Sequence, residues 1–251
     1  MRSRRKIYRT IYWHRILITV IMSSFLLCTI ILVFIFFRPN NGMLTISQRR
    51  FYLVSISRHE SLHEANRDAL SIRNMGGAGF VLHGNDAFYV IVAVYRSRRE
   101  ANGVKERLVL EEGFLATVFV RIVPRIRISV GDSGKANTIL QLITHPISLI
   151  DSLTTLSFDL SARRITEMHA LFLLNSKRNN LLILSGRINE LSLEFPNLTA
   201  PLQEFYSTML SAFSSAGNLS FAPTLSVNIL HLVPLIIESY NQTILTLRLV
   251  A

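Results

Sequence analysis

The chain has 251 residues, is 49% hydrophobic and 17% charged, and carries a formal net charge of +11. Its single cysteine, Cys28, excludes an intrachain disulfide and any zinc site built from cysteines. The basic excess does not by itself point to nucleic acid, because residues 1–48 hold seven Lys or Arg and no acid, while residues 129–251 hold seven basic and eight acidic residues.

In chain order, a basic stub over 1–15 precedes an uncharged run, 16–37, broken only by Thr19, Ser23, Ser24 and Thr29. A helix rises about 1.5 Å per residue and needs about 20 apolar residues to cross a bilayer, so this run predicts one transmembrane helix. Arg2, Arg4, Arg5, Lys6, Arg9 and Arg15 flank it on one side and only Arg38 on the other, which predicts a cytoplasmic N-terminus and an extracytoplasmic C-terminus. Tyr8, Tyr12 and Trp13 supply an interfacial belt. A cleaved signal peptide would have a shorter core and a small-residue cleavage site, and Val33–Phe37 offers none. Residues 38–48 read as a linker.

The stretch 49–123 reads as a duplicated unit. A shift of 36 positions aligns Glu64-Ala65-Asn66 with Glu100-Ala101-Asn102, and Gly77 with Gly113. Strand 51–57 leads to a helix over 61–74, whose Leu62, Ala65, Ala69 and Ile72 recur at helical spacing. Gly76-Gly77 stops that helix, strand 79–83 follows, and Gly84-Asn85 marks a turn. Strand 88–95, a helix capped near Ser97 with Ala101, Val104 and Leu108 inward, and strand 114–120 repeat the order. This βαββαβ order predicts a ferredoxin-like unit: a four-stranded antiparallel sheet with both helices on one face. Alternation places Tyr52, Val54, Ile56, Phe88, Val90 and Val92 against the helices, and leaves Phe51, Leu53, Ser55, Tyr89, Ile91 and Tyr95 on an open face.

Residues 124–134 read as a second linker, and 135–251 as an all-helical, bundle-like segment. Leu149, Leu153, Leu156 and Leu160 form a seam at spacings of four, three and four. The pattern predicts a helix through about Asn175, others over 178–192, 200–213 and 226–249, and a kink at Pro234. Val227–Ile237 is apolar but too short for a second span.

Other candidate chemistry is weaker. His59-Glu60-Ser61-Leu62-His63 matches the spacing by which two helical histidines bind zinc, but His59 precedes the predicted helix and the second repeat keeps no counterpart. Gly76-Gly77-Ala78-Gly79 follows a helix and precedes a strand, the reverse of a phosphate-cradling loop. Asn197, Asn218 and Asn241 begin sequons, which matter only in a eukaryotic secretory context. No catalytic residue, cofactor or metal site is expected.

The runs Phe51-Tyr52-Leu53-Val54-Ser55-Ile56, Glu64-Ala65, Gly76-Gly77-Ala78-Gly79-Phe80-Val81, Phe88–Tyr95 and Glu100-Ala101 resemble the SPOR domain, the sporulation-related repeat of bacterial cell-envelope proteins. The whole chain then reads as α+β: an N-terminal transmembrane helix, a ferredoxin-like SPOR-type domain and a helical tail. The resemblance implies a non-enzymatic, single-pass envelope protein of sporulation or cell division that binds peptidoglycan glycan strands stripped of their stem peptides. It implies Phe51, Ser55, Arg58, Tyr89, Ile91, Tyr95 and Arg96 as glycan contacts, the aromatics stacking on sugars and the arginines meeting lactyl carboxylates. The chain departs from the family at Ser55, Ser57 and Ala93, where many members carry glutamine or glycine. The helical tail would engage another envelope protein. Two alternatives stand beside this reading: an exported protein–protein interaction scaffold that uses the same fold without glycan binding, and a membrane-anchored zinc metallopeptidase.

Overall fold

The computed structural model describes residues 43–216 and 224–250. The expected membrane helix over 16–37 lies outside them. Among the described residues no helix is long and apolar enough to cross a membrane, so the expected fold class is corrected: the structure is α+β, and the N-terminal transmembrane helix is not supported.

The described chain runs β1 (Met43–Ile46), β2 (Arg49–His59), α1 (Leu62–Asn74), β3 (Phe80–His83), β4 (Phe88–Tyr95), α2 (Arg98–Leu110), β5 (Thr117–Val123), β6 (Ile126–Ser129), α3 (Ser133–Ser161), α4 (Glu167–Leu191), α5 (Pro196–Ala216) and α6 (Leu225–Val250). Strands β3-β4-β2-β5 form one antiparallel sheet, the order expected of the duplicated unit. The described part of the first expected linker, 43–48, and the second linker both contain strand: β1 pairs with β6 in a two-stranded ribbon, Met43 opposite Ser129 and Ile46 opposite Ile126. Their alternating Leu44, Ile46, Ile126 and Ile128 are buried, which is why the short strands hold.

Local chemistry sets the element ends. Ser61 caps α1 by accepting from the His63 amide at 3.2 Å. Gly76, at φ +99°, ends α1 in the left-handed region, and Gly79, at φ +52°, turns the chain into β3. At Gly79 an added Cβ would lie 2.3 Å from the Ala69 carbonyl oxygen, so only glycine fits there.

Helices α1 and α2 cover one sheet face around Val54, Ile56, Ala65, Ile72, Val90, Ala101 and Leu108. The other face is not open. The bundle lies on it, and Phe51, Leu53, Ile91 and Val94 share one continuous core with Leu142, Leu153, Tyr206, Ile236 and Tyr240. Sheet and bundle are therefore one packed body rather than two domains joined by a linker. Polar pins cross the seam. Arg121 Nε of β5 donates to Glu238 Oε1 of α6 at 2.6 Å, and Arg73 Nη2 of α1 donates to Asn228 Oδ1 at 2.8 Å.

Helix α6 is apolar on nearly every side because it is surrounded: β-sheet below, α3 and α5 beside it. It continues through Pro234. The break between the first two bundle helices falls earlier than expected, at Ala162–Thr166, where Arg163 adopts φ 56° and Thr166 caps α4 by accepting from the His169 amide at 3.3 Å.

Candidate functional site

The seven expected contact residues do not assemble. Strands β2 and β4 do lie side by side, Tyr52 opposite Tyr95 and His59 opposite Phe88. Phe51, Ser55 and Ile91, however, are 2%, 1% and 0% exposed beneath the bundle. Tyr89 is half-buried on that same face, its ring 4.5 Å from that of Phe119. Tyr95 lies on the opposite face, with the α2 side chains. The cause is a pair of bulges: the register skips Val92 in β4 and Ile56 in β2, so alternation reverses beyond each. Val94 consequently joins the bundle core and Tyr95 the helix-side core. Burial, chiefly, raises the Tyr95 phenol above its ordinary pKa.

Arg58 and Arg96 are exposed, but antiparallel pairing puts them at opposite ends of the sheet. Seven residues of strand separate the two ends, about 23 Å at the usual rise, so the two guanidinium groups serve no single short ligand. Arg96 instead pairs with Asp151 of α3.

The His59–His63 motif is also split by secondary structure. His59 is the last residue of β2 and His63 lies in the first turn of α1, so the two do not share a helical face. Among the described residues no group of three or more His, Cys, Asp or Glu is arranged to hold a metal ion. His59 Nε2 lies 3.0 Å from Asp68 Oδ2 and 3.2 Å from Ser57 Oγ, and Ser57 Oγ donates to the same Asp68 oxygen. In a nucleophilic triad the aspartate holds Nδ1 while the serine meets Nε2. Here both act on Nε2, and the serine proton goes to the carboxylate. The trio ties β2 to α1; it does not activate a nucleophile.

A concavity of about 630 Å³ sits between α3 and α4, within the size range of ligand-binding clefts. Leu156, Ile165 and Leu173 form its apolar floor, Ser148, Ser152 and Thr155 line the α3 wall, and His169 and Lys177 the α4 wall. Asp151 and Asp159 stand on the α3 side, each with an arginine partner: Arg96 for the first, Arg164 for the second at 3.3 Å. Arg164 also lies over the exposed Phe158 ring, 5.0 Å from its centroid. None of these residues except Arg96 stood out in the sequence as part of a site. The signal was there as a polar row, Ser148, Ser152, Thr155 and Asp159, one residue off the leucine seam and at the same spacing.

Comparison with family models, with curated proteins and with solved structures returns no match to this chain.

Proposed function

We propose that the protein is a non-catalytic scaffold: the duplicated α/β unit is a structural foundation, and the helical bundle presents the recognition surface. The observation that carries this reading is the cover over the sheet. The face on which a SPOR-type domain would take glycan here holds Phe51, Leu53 and Ile91 at 2% exposure or less in the core shared with the bundle, and Ser55 is buried beside them. Exposing it would separate that core, at a cost comparable to unfolding the body.

Among the concavities that stay accessible on the described residues is the α3–α4 groove. Its apolar floor between an acid-bearing wall and a wall with Lys177 and His169 suits an amphipathic segment of a partner protein, apolar side chains seated on Leu156, Ile165 and Leu173. Fixed charges of both signs on facing walls would set the direction of such a segment.

Two measurements test this. Purified residues 43–251 should bind amidase-treated and untreated sacculi to the same extent; retention that depends on stripping the stem peptides would overturn the scaffold reading in favour of glycan recognition. A photo-crosslinking side chain at Leu173 should trap a discrete partner in cells, and Thr155→Arg should abolish the adduct. A probe at exposed Leu245 should trap none. Equal trapping at both positions would sink the groove.

A further inference from the structure

On the side of the sheet away from the bundle, α1 and α2 leave one corner bare. Residues paired across an antiparallel ladder share a face, so Arg50 with Ile122, and Tyr52 with Val120, stand on the helix side at the edge strand β5. The same side continues past Pro124 into the ribbon. There Leu44, Ile46, Ile126 and Ile128 turn inward to the bundle core, which leaves Met43, Thr45, Arg127 and Ser129 outward; Arg125, between sheet and ribbon, is exposed as well. From Val120 to Ser129 the strip spans roughly 30 Å at the usual strand rise.

Two kinds of side chain dominate the strip. Met43, Val120 and Ile122 are aliphatic and 59%, 47% and 46% exposed. Arg50, Arg125 and Arg127 stand among them, exposed and with no carboxylate partner among the described residues. Segments 43–50 and 120–129 contain no acid at all. Their other arginines, Arg49 and Arg121, turn to the bundle, Arg121 onto Glu238. Arg98 and Arg99 open α2 at the same end of the sheet and add to the charge, with Glu100 behind them subtracting one. The charge selects an anionic partner, and the aliphatic groups select among anionic partners. A nucleic acid would meet the arginines with phosphates, but its bases stack on aromatic faces, and Met43, Val120 and Ile122 would gain nothing. The headgroup layer of an anionic bilayer takes both kinds, its phosphates at the arginine forks and the aliphatic side chains at the acyl boundary. We infer that this strip docks on the surface of a membrane that contains anionic lipid, through Arg50, Arg125 and Arg127, with Val120 and Ile122 seated between the headgroups. Such docking needs no helix that crosses the bilayer. The α3–α4 groove belongs to the bundle, on the opposite side of the sheet, so the strip does not depend on what that groove holds.

The test uses residues 43–251, which hold the whole packed body and no tryptophan, the chain's one being Trp13. Vesicles of phosphatidylcholine with one part in four of phosphatidylserine should carry the protein down on centrifugation, and vesicles of phosphatidylcholine alone should not. A basic residue at an anionic surface changes partitioning about fivefold, so Arg50→Gln, Arg125→Gln and Arg127→Gln together should weaken binding about a hundredfold. Arg58→Gln, at the far end of the sheet, should change it by less than about twofold. The tryptophan of Ile122→Trp should shift its emission to the blue on the anionic vesicles, and that of Ile183→Trp, on the exposed side of α4, should not. Val120→Ser with Ile122→Ser should weaken vesicle binding. Duplex DNA of mixed sequence is the competing anion: affinity for it that exceeds affinity for the vesicles and falls in the triple variant would assign the strip to nucleic acid and overturn the inference. Vesicle binding that survives in the triple variant, or an unshifted emission from Ile122→Trp, would overturn it as well. Should the triple variant not fold, the dependence on phosphatidylserine and the Ile122→Trp emission decide the matter.

Discussion

Replacing Leu53 by alanine gives a direct reading of whether sheet and bundle are one cooperative body. Leu53 is fully buried in the middle of β2, opposite Val94 on one side and Phe119 on the other, and it faces the bundle. Truncating such a leucine removes three carbons and leaves a cavity that neighbours on both sides fill only in part, at a cost of about 2–5 kcal/mol. For a cooperative unit of this size each kcal/mol lowers the melting temperature by about 2–4 °C, so a mid-range loss of ~3 kcal/mol predicts a drop of about 6–12 °C. The decisive assay is native-state hydrogen exchange. If the core is shared, slow amides around Tyr206 in α5 should lose the same free energy of protection as those in β4, although no residue of α5 belongs to the sheet. Leu182→Ala, half-exposed on α4, is the control and should change stability by no more than about 0.5 kcal/mol. Weakened sheet amides beside unchanged bundle amides, or two separate thermal transitions, would refute the single-core argument.

Two other outcomes follow from the same packing. Gly79→Ala combines a positive φ with a Cβ placed 2.3 Å from a backbone oxygen, and should destabilise by more than the roughly 1 kcal/mol of an ordinary loop change; Gly103→Ala, where a Cβ meets nothing within 4 Å, should be neutral or mildly stabilising, and calorimetry separates the two. Burial holds the imidazoles of His145 and His231 below their ordinary pKa, with Lys177 near the first and Arg73 near the second adding to the effect. Both groups are then neutral in the folded chain while the unfolded chain takes up protons below about pH 6.5, so stability present above that pH should fall on acidification. Melting curves from pH 7.5 to 5 should show the decline, and His145→Gln with His231→Gln should flatten it.

Much of the α/β unit was legible because each device is local. The start of α1 at Ser61, its stop at Gly76, and the alternation in β2 and β4 act within a few residues of themselves, whereas Gly79, read as strand, is a left-handed turn position. The Tyr95 assignment failed because alternation has no memory of a bulge: one extra residue at Val92 sends every later side chain to the other face, and no residue type there announces it. The site failed for a different reason. Whether Phe51 and Ile91 meet solvent depends on α6, more than a hundred residues away, and an aromatic-rich face looks the same in sequence whether it awaits a ligand or a helix. The α3–α4 boundary was missed because Ala162-Arg163-Arg164 are acceptable helix formers; only Thr166 with Glu167 behind it signalled a new start.

The β1–β6 ribbon bears on how the protein would respond to tension. Met43, where the described chain begins, and Ser129, which leads into the bundle, sit at the same end of the ribbon. A pull between them would therefore part the strands one hydrogen bond after another, like a zip, and would next reach the Arg49–Val123 pairing at the matching end of β2 and β5. Under a load applied between these two points the chain would yield first and progressively at this seam, paying out length while α1, α2 and the hairpin of β3 and β4 keep their shape.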